Sequence, residues 1–481
     1  MDSRRCVLYG KLRFIAKAYF ERDIYFVMFI DTLTEKITVP GYALRVLDLL
    51  NASGFDGYLV GGCVRDFLMG RTPKDYDVAT NASTEQIERV FADFRVIETG
   101  IKHGTITVIS DGNQIEVTTY RVDGTYSDCR HPDSVTFSAS LEEDMSRRDF
   151  TMNAIAYSHR TGLVDVFGGI GDIRQGIIRC VGEPDRRFNE DALRIMRALR
   201  FAAVLDFEID SQTSESIHRN CGMLDKIAAE RITAELFELV CGKNAAHIMR
   251  EYSDVMAEIL PPLKDMFGFA QDNPHHIYDV WEHTLHVVEN VPPTVELRMA
   301  ALLHDVGKPH CKTSDENGIG HFYGHADISA EIAGDIFKNR LRTSKSISDK
   351  IITLVKNHGE TFIPSKKIIR RRLMKYGEET IRQLLALARG DVIGQGADLE
   401  TRISELDEAE RLLQEILSQE NCLSLKAMAI NGYDLSELGI EHGKLMGTIL
   451  NRLLEEINDE TLENNKSALA ARAIELYKQN K

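Results

Sequence analysis

Apolar residues recur at helical spacing through residues 41–53 (Ala43, Leu44, Val46, Leu47, Leu50), which predicts a helix with one buried face. A short apolar run, Tyr58, Leu59 and Val60, then stops at Gly61-Gly62 and reads as a strand ending in a bend. The next predicted strand carries Asp75 and Asp77 two positions apart, so alternation would set both carboxylates on one face. Residues 83–91, STEQIERVF, predict a helix capped by Ser83. Alternation returns in residues 105–110 and 114–121, two strands flanking the turn Asp111-Gly112-Asn113. Residues 120–137 are polar and turn-rich, and predict a mobile loop. The pattern next predicts an apolar helix within residues 147–157, a glycine-punctuated, hairpin-like linker over 164–182, and a single helix over 186–203. Short amphipathic helices are predicted across 209–260, with a boundary at Pro261-Pro262 and Asp272-Asn273-Pro274. Past Gly396 the chain turns to Glu-rich helix formers.

At 481 residues the chain exceeds one ordinary core, and two to four domains are expected. Its longest apolar run near the N-terminus, residues 24–30, is too short to span a bilayer. The eight cysteines are scattered singly with no C-x-x-C pair, which argues against zinc ribbons and disulfide frameworks and fits a cytoplasmic protein. A net charge of −16 argues at first against a polyanionic partner, but arginines gather at Arg147, Arg148, Arg186, Arg187, Arg194, Arg197 and Arg200. A second basic group runs through Lys366, Lys367, Arg370, Arg371, Arg372 and Lys375. Local basic surfaces can bind RNA on an acidic protein.

Glycines without a Cβ let a polyanion approach main-chain N–H groups, and Arg65 follows within the first turn. Paired carboxylates beside such a bend suit Mg²⁺, which takes a few carboxylates plus triphosphate oxygens. Glu116 is either a third carboxylate of this set or a solvated strand residue. The motifs GGCVRD and KDYDVAT resemble the signature of the class II branch of polymerase β-type nucleotidyltransferases, the family of bacterial tRNA CCA-adding enzymes and poly(A) polymerases. RRDFTMNAIAY resembles a further signature of that family. The resemblance implies that Gly61, Gly62, Arg65 and Arg148 bind the triphosphate, that Asn153 fixes the sugar or a loop, and that Asp75 and Asp77 hold Mg²⁺. On the predicted helix over 186–203, Asp191, Arg194, Arg197 and Arg200 are spaced by three. An Asp beside an Arg can accept from the exocyclic amine of C or A and donate to the neighbouring ring acceptor; an intrahelical ion pair is the plainer reading. In the resembled family the E-D-x-x-R element, matched by Glu190, Asp191 and Arg194, selects CTP and ATP, and Arg197 and Arg200 match arginines of the same helix.

Farther on, His283, His304, Asp305, His325, His358 and Asp391 form an ordered series of N and O ligands suited to a transition metal. The series resembles an HD domain, an α-helical metal phosphohydrolase fold. His283, His304, Asp305 and Asp391 match its basic set, and His325 and His358 the added ligands of two-metal members, which implies Mn²⁺, Ni²⁺ or Co²⁺ there. Lys308 would be the cation for a bound phosphate. The expected fold is α+β: a nucleotidyltransferase head followed by an all-α neck and body and the HD domain. The expected divisions are an unassigned extension over 1–40, the head over 41–170, an RNA-binding neck over 171–273, the HD domain over 274–396 and a helical tail over 397–481. The expected activity is addition of CCA to tRNA from CTP and ATP without a membrane partner. Alternatives are a poly(A) polymerase, an A-only or CC-only enzyme, or an HD phosphohydrolase acting on RNA-end phosphates.

Overall fold

The computed structural model describes residues 37–100, 104–124, 135–274, 276–396, 399–418, 425–458 and 461–480. The N-terminal extension up to residue 36, and the centre of the predicted loop over 120–137, lie outside them. The chain forms two compact units, Met1–Glu235 and Leu236–Lys481.

The first unit holds a seven-stranded mixed sheet. Its elements begin with α1 (Gly41–Ala52), β1 (Tyr58–Val60), α2 (Gly62–Leu68), β2 (Asp77–Thr80) and α3 (Thr84–Val90). Three strands follow, β3 (Arg95–Gly100), β4 (Thr105–Ser110) and β5 (Asn113–Thr119), then a separate short ladder of β6 (Arg121–Asp123) with β7 (Val135–Phe137). After α4 (Leu141–Ser146) come β8 (Ala156–Ser158), β9 (Gly162–Val164) and α5 (Gly169–Gln175). The sheet order is β3-β4-β5-β2-β1-β8-β9, and the β2–β5 pair is parallel.

Alternation sorts the two faces of this sheet. Val78, Ile115 and Val117 point to the side where α1 and α3 pack, in a core with Val46, Leu47, Leu50, Ile87 and Phe91. Val60 and Ala79 point the other way, towards Tyr120, Met145, Ala154 and Ala156. Asp77 and Glu116 share that second face, outside the core. The predicted cap of α3 is present: Ser83 Oγ accepts from Gln86 N, and the Gln86 side chain accepts from Ser83 N at 2.8 Å.

Four local expectations change. Asp75 precedes β2 rather than lying within it. Residues 147–157 give a single 3-10 turn, Thr151–Asn153, and then β8, because a run buried on all sides packs as an inner strand against β1 as readily as it forms a helix. The linker over 164–182 contains a helix instead of a hairpin. Asp165 accepts from the N–H groups of Gly169 and Ile170 at 2.8 and 2.9 Å, and Gly168 and Gly176 take left-handed φ at its two ends. The single helix over 186–203 is two, α6 (Pro184–Glu190) and α7 (Leu193–Leu205), broken where Asp191 adopts extended backbone, φ −145°. Its carboxylate accepts from Leu193 N at 3.1 Å, the local bond by which Asp competes with helix continuation.

After α8 (Ser211–Asn220) and α9 (Ala229–Val240) the second unit is helical: α10 (Ala245–Glu251), α11 (Ser253–Ile259), α12 (Val280–Asn290), α13 (Val295–Leu303), α14 (His325–Asp335), α15 (Lys345–Asn357), α16 (Lys366–Gln395) and α17 (Leu399–Ser418). Helix α16 is broken at Gly377, whose φ is 78°. Two later helices, Lys444–Asn458 and Lys466–Gln479, build a separate small core. In the second basic group, Lys366 pairs with Glu415, Arg372 and Lys375 with Glu360, and Arg370 is buried and donates to the carbonyl of Asn458. Much of that group is therefore neutralised locally. Among the described residues no helix is long and apolar enough to cross a membrane.

Candidate functional site

In the first unit the bend and the acidic residues come together as β-sheet register dictates. Val60, the last residue before the glycines, is the cross-strand partner of Asp77, and Asp77 is the partner of Glu116. Residues paired in register project to the same face, so one step along the sheet carries the bend to two carboxylates. Burial pushes the Asp77 carboxyl up to about 6; Glu116 and Asp75 push the same way, and Arg148 opposes them. Asp77 keeps an exposed edge, so the crowding is around its carboxyl rather than over it. Asp75 thus reaches Asp77 from the loop before the strand, and Glu116 is the stronger electrostatic neighbour.

Gly61 takes φ 75°, ψ −133°, and a Cβ built there would stand 3.0 Å from Arg148 Nη1. A Cβ on Gly62 would stand 3.7 Å from Arg65 Nη2. Both glycines therefore leave room beside a guanidinium. Arg148 pairs with buried Asp144 at 3.2 Å, and among the described residues its Nε meets no hydrogen-bond partner. Arg65 donates to Asp66 at 2.8 Å and, through Nη1, to Asn153 Oδ1 at 2.9 Å. Asn153 in turn donates to Asp149 at 3.0 Å. Asn153 is thus a buried brace for Arg65.

Asp149 joins this group to α7. Its other oxygen accepts from Arg197 Nε and Nη2 at 2.9 and 2.7 Å. Burial would raise the Asp149 pKa, but Arg197 and the bond from Asn153 hold it down at about 2. Glu190 gathers Arg186, Arg187 and Arg194, the last at 2.8 Å, and Arg194 also donates to the carbonyl of Arg147 at 2.9 Å. Asp191 instead pairs with Arg231 at 2.8 Å, and Arg200 with Glu235 at 2.6 Å. The Phe201 ring lies under the guanidinium groups of Arg200, Arg65 and Arg197 at 3.9, 5.0 and 5.3 Å. Asp191 and Arg194 stand on separate helices' ends, each fixed by a different partner, instead of pairing on one stripe. Sequence reading misses Asp149, Arg231, Glu235 and Phe201 as members of this network. Asp149 stands within the RRD run, a signal that could have found it; the other three carry no local signal.

The second unit brings all six predicted ligands to one place. His283 Nε2 lies 3.1 Å from Asp391 Oδ1, 3.3 Å from Asp305 Oδ2 and 3.3 Å from His304 Nε2. His304 Nε2 lies 3.1 Å from Asp305 Oδ2. The other Asp305 oxygen faces His325 Nε2 at 3.4 Å and His358 Nε2 at 3.8 Å, and those two nitrogens are 3.0 Å apart. Two ligand clusters therefore share Asp305. Nδ1 of His304, His325 and His358 faces the carbonyl three residues back, of Ala301, Phe322 and Val355, at 2.7–2.8 Å. A carbonyl can only accept, so each Nδ1 carries a proton and each Nε2 is the ring atom turned towards Asp305. Burial, with help from His304, pulls His358 down to about 4, so it is neutral at pH 7. His283 behaves oppositely: burial opposes its charge, but bonds to Asp305 and Asp391 outweigh that and hold it at about 9, a measure of the negative potential there. Lys308 is buried and engaged by Asp305 at 2.7 Å and Gln271 at 2.8 Å, so it steadies the shared carboxylate.

Three family models match segments of the chain. Residues 57–179 match the family model described as the poly A polymerase head domain. Residues 206–266 match the probable RNA and SrmB-binding site of polymerase A, and 313–473 a putative tRNA nucleotidyltransferase domain 2. The chain is 33% identical over 448 residues to a CCA-adding enzyme of Ligilactobacillus salivarius, covering 91% of this chain and 96% of that one. It is 32% identical to the CCA-adding enzyme of Lactobacillus helveticus over 89% and 95% of the two chains. The fold is similar to that of the Bacillus stearothermophilus CCA-adding enzyme crystallised with CTP, with a TM-score of 0.67 and 28% identity over 91% of this chain and 98% of that one. It also shares its fold with the Thermotoga maritima CCA-adding enzyme solved with tRNA, at a TM-score of 0.58 and 20% identity over 94% and 98% of the chains.

Proposed function

The chain belongs to the family of CCA-adding enzymes, and from that premise we propose that it adds C, C and A from CTP and ATP to the 3′ hydroxyl of tRNA, releasing diphosphate at each addition. The observation that carries the reading is the register Val60–Asp77–Glu116, which sets two carboxylates beside the Gly61 bend with Asp75 close by. The donor set fits Mg²⁺, because its oxygens are hard and the Asp77 carboxyl is crowded enough to resist losing its proton without a cation. Held by Asp75 and Asp77, with Glu116 in reach, Mg²⁺ would polarise the α-phosphate and lower the pKa of the attacking hydroxyl. The chain's own groups do the rest. Gly61 and Gly62 admit the triphosphate to the backbone, Arg148 Nη1 stands beside Gly61 to meet it, and Asn153 aims Arg65 at it. Asp191 and Arg194 meet the base edge, held in place by Arg231 and Glu190. Arg197 and Arg200 brace that edge through Asp149 and Glu235.

The test supplies each NTP separately to tRNA transcripts lacking the CCA end, ending after its two cytidines, or complete. Incorporation of C and then A, with no extension of the complete tRNA, is expected. Repeated A addition would make the chain a poly(A) polymerase, and silence with one NTP an A-only or CC-only enzyme. The pH dependence carries a sign. Because the Asp77 pKa is raised, protons compete with the cation below about pH 6, so the Mg²⁺ concentration for half-maximal rate should rise up to about tenfold per pH unit below that point and flatten above it. Steady-state titrations at pH 5, 6, 7 and 8 measure this.

The six ligands of the second unit support a second activity, an HD-type phosphohydrolase acting on RNA-end phosphates. His283, His304, Asp305 and Asp391 would hold one transition metal and Asp305, His325 and His358 another, each supplying an activated water. Mn²⁺, Ni²⁺ or Co²⁺ should be required there, while Mg²⁺ alone supports the head.

A further inference from the structure

A cavity of about 570 Å³ opens in the second unit between one face of α16, one face of α17 and the turn that joins α12 to α13. It shares no lining residue with the histidine cluster. Arg382, Leu385 and Arg389 come from α16, and Glu410 and Leu413 from α17, at the spacings of a single helical face. Arg298, on α13, lines the same space.

Arg298 is only 7% exposed, and its Nε is buried without a hydrogen-bond partner. Among the described residues it forms no ion pair. Burial pulls its pKa down, opposed only by Cys241 and Glu289. The other two arginines differ: Arg382 pairs with Glu378 at 2.9 Å and Arg389 with Asp407 at 2.5 Å. A guanidinium whose Nε is buried and unpartnered and which has no counter-ion is unfavourable, so a folded chain that keeps one is more stable when an anion reaches it through the cavity.

We propose that Arg298 anchors a binding site for a small organic anion, a phosphate or carboxylate attached to an apolar or aromatic body. The guanidinium fork matches the paired oxygens of either group. Pro292, Pro293, Leu385 and Leu413 supply the apolar wall, and the volume falls within the usual range of small-ligand pockets. Of the charged residues on the lining, Arg382 and Arg389 are already paired, the latter also with Glu410 at 3.5 Å, which leaves Arg298 as the cation without a counter-ion among the described residues. A backbone phosphate of RNA stays at a protein surface, whereas a free ligand can enter with its anionic end first.

The test uses the full chain with EDTA present, so that neither metal site contributes. Phenylphosphonate and benzoate distinguish the two anionic groups, and benzyl alcohol is the neutral control, each titrated calorimetrically. At least one anion should bind wild type with a Kd below about 1 mM and benzyl alcohol should not. Arg298→Met should weaken that binding at least about tenfold while leaving Tm unchanged or higher, since it removes an unpaired buried charge. Should the Met variant lose stability instead, Ala386→Phe, which fills the cavity and leaves Arg298 in place, decides the matter: lost binding upholds the proposal and retained binding overturns it. Failure of both anions to bind wild type, or equal binding to the folded Met variant, overturns it as well.

Discussion

Changing Asp77 to Ala is expected to abolish incorporation of C and A alike. A carboxylate that helps hold a catalytic cation contributes several kcal/mol of transition-state stabilisation, and about 4 kcal/mol corresponds to a rate loss on the order of 10³. The loss should be common to both nucleotides, because in the proposed mechanism Asp77 serves the reacting phosphate rather than the base. Arg194→Ala should differ in kind: Arg194 stands at the predicted base edge and braces Glu190 and the Arg147 carbonyl, so its removal should mainly relax discrimination among the four NTPs. Unfolding is separable from lost chemistry by sign. The Asp77 carboxyl is raised from 3.8 to about 6, so its ionised form disfavours the fold increasingly as pH rises from about 4 through 6, and at pH 7 the Ala variant should melt no lower than wild type. Single-turnover extension of tRNA lacking its CCA end, with CTP and ATP assayed apart, measures the chemistry. An Asp77→Ala protein that extends tRNA at the wild-type rate would remove the carboxylates from the reaction.

The parts of this centre that are legible in the sequence are those fixed by short-range periodicity. The strand, the glycine bend and the capped helix after it lie within about 30 residues, and each is set by local backbone rules. Glu116 stays undecided at that level because its alternation gives only its face; what decides its neighbourhood is the parallel pairing of β2 with β5, a crossover that no local pattern records. The same limit explains Asp191. Residues 186–203 have helical composition throughout; the bond from Leu193 N that interrupts the helix at Asp191 is local, but the partner that holds its carboxylate, Arg231, is 40 positions away. The strand β8 reads as helix for a related reason: residues buried on both sides show no period-2 contrast. The basic run from Lys366 looks like an RNA surface because its partners, Glu360, Glu415 and the Asn458 carbonyl, are remote in sequence. The histidine cluster, by contrast, is fully legible, since six ligand-type residues in order carry the signal whatever the helices between them do.

Asp305→Asn is expected to empty both halves of that cluster together. Asp305 is the one residue whose two oxygens face different sets, Oδ2 towards His283 and His304 and Oδ1 towards His325 and His358. Asn keeps the shape but removes the charge on which both sets rely, and whichever way it turns one set meets an amide donor and the other a neutral oxygen, a much poorer ligand. His325→Ala should instead release only the second metal. Lys308 sharpens the difference. Its ammonium is buried against Asp305 and Gln271, so losing the carboxylate leaves a buried cation half-paired, a change that typically destabilises by about 3–5 kcal/mol. Tm should therefore fall more for Asp305→Asn than for His325→Ala. Metal content after dialysis against Mn²⁺ or Ni²⁺, read by mass spectrometry alongside hydrolysis of a 2′,3′-cyclic phosphate, distinguishes the outcomes: near two ions per chain for wild type, near one for His325→Ala and near none for Asp305→Asn. Two ions retained by folded Asp305→Asn would show that the shared carboxylate is no bridge, and the two clusters would then have to be treated as independent sites.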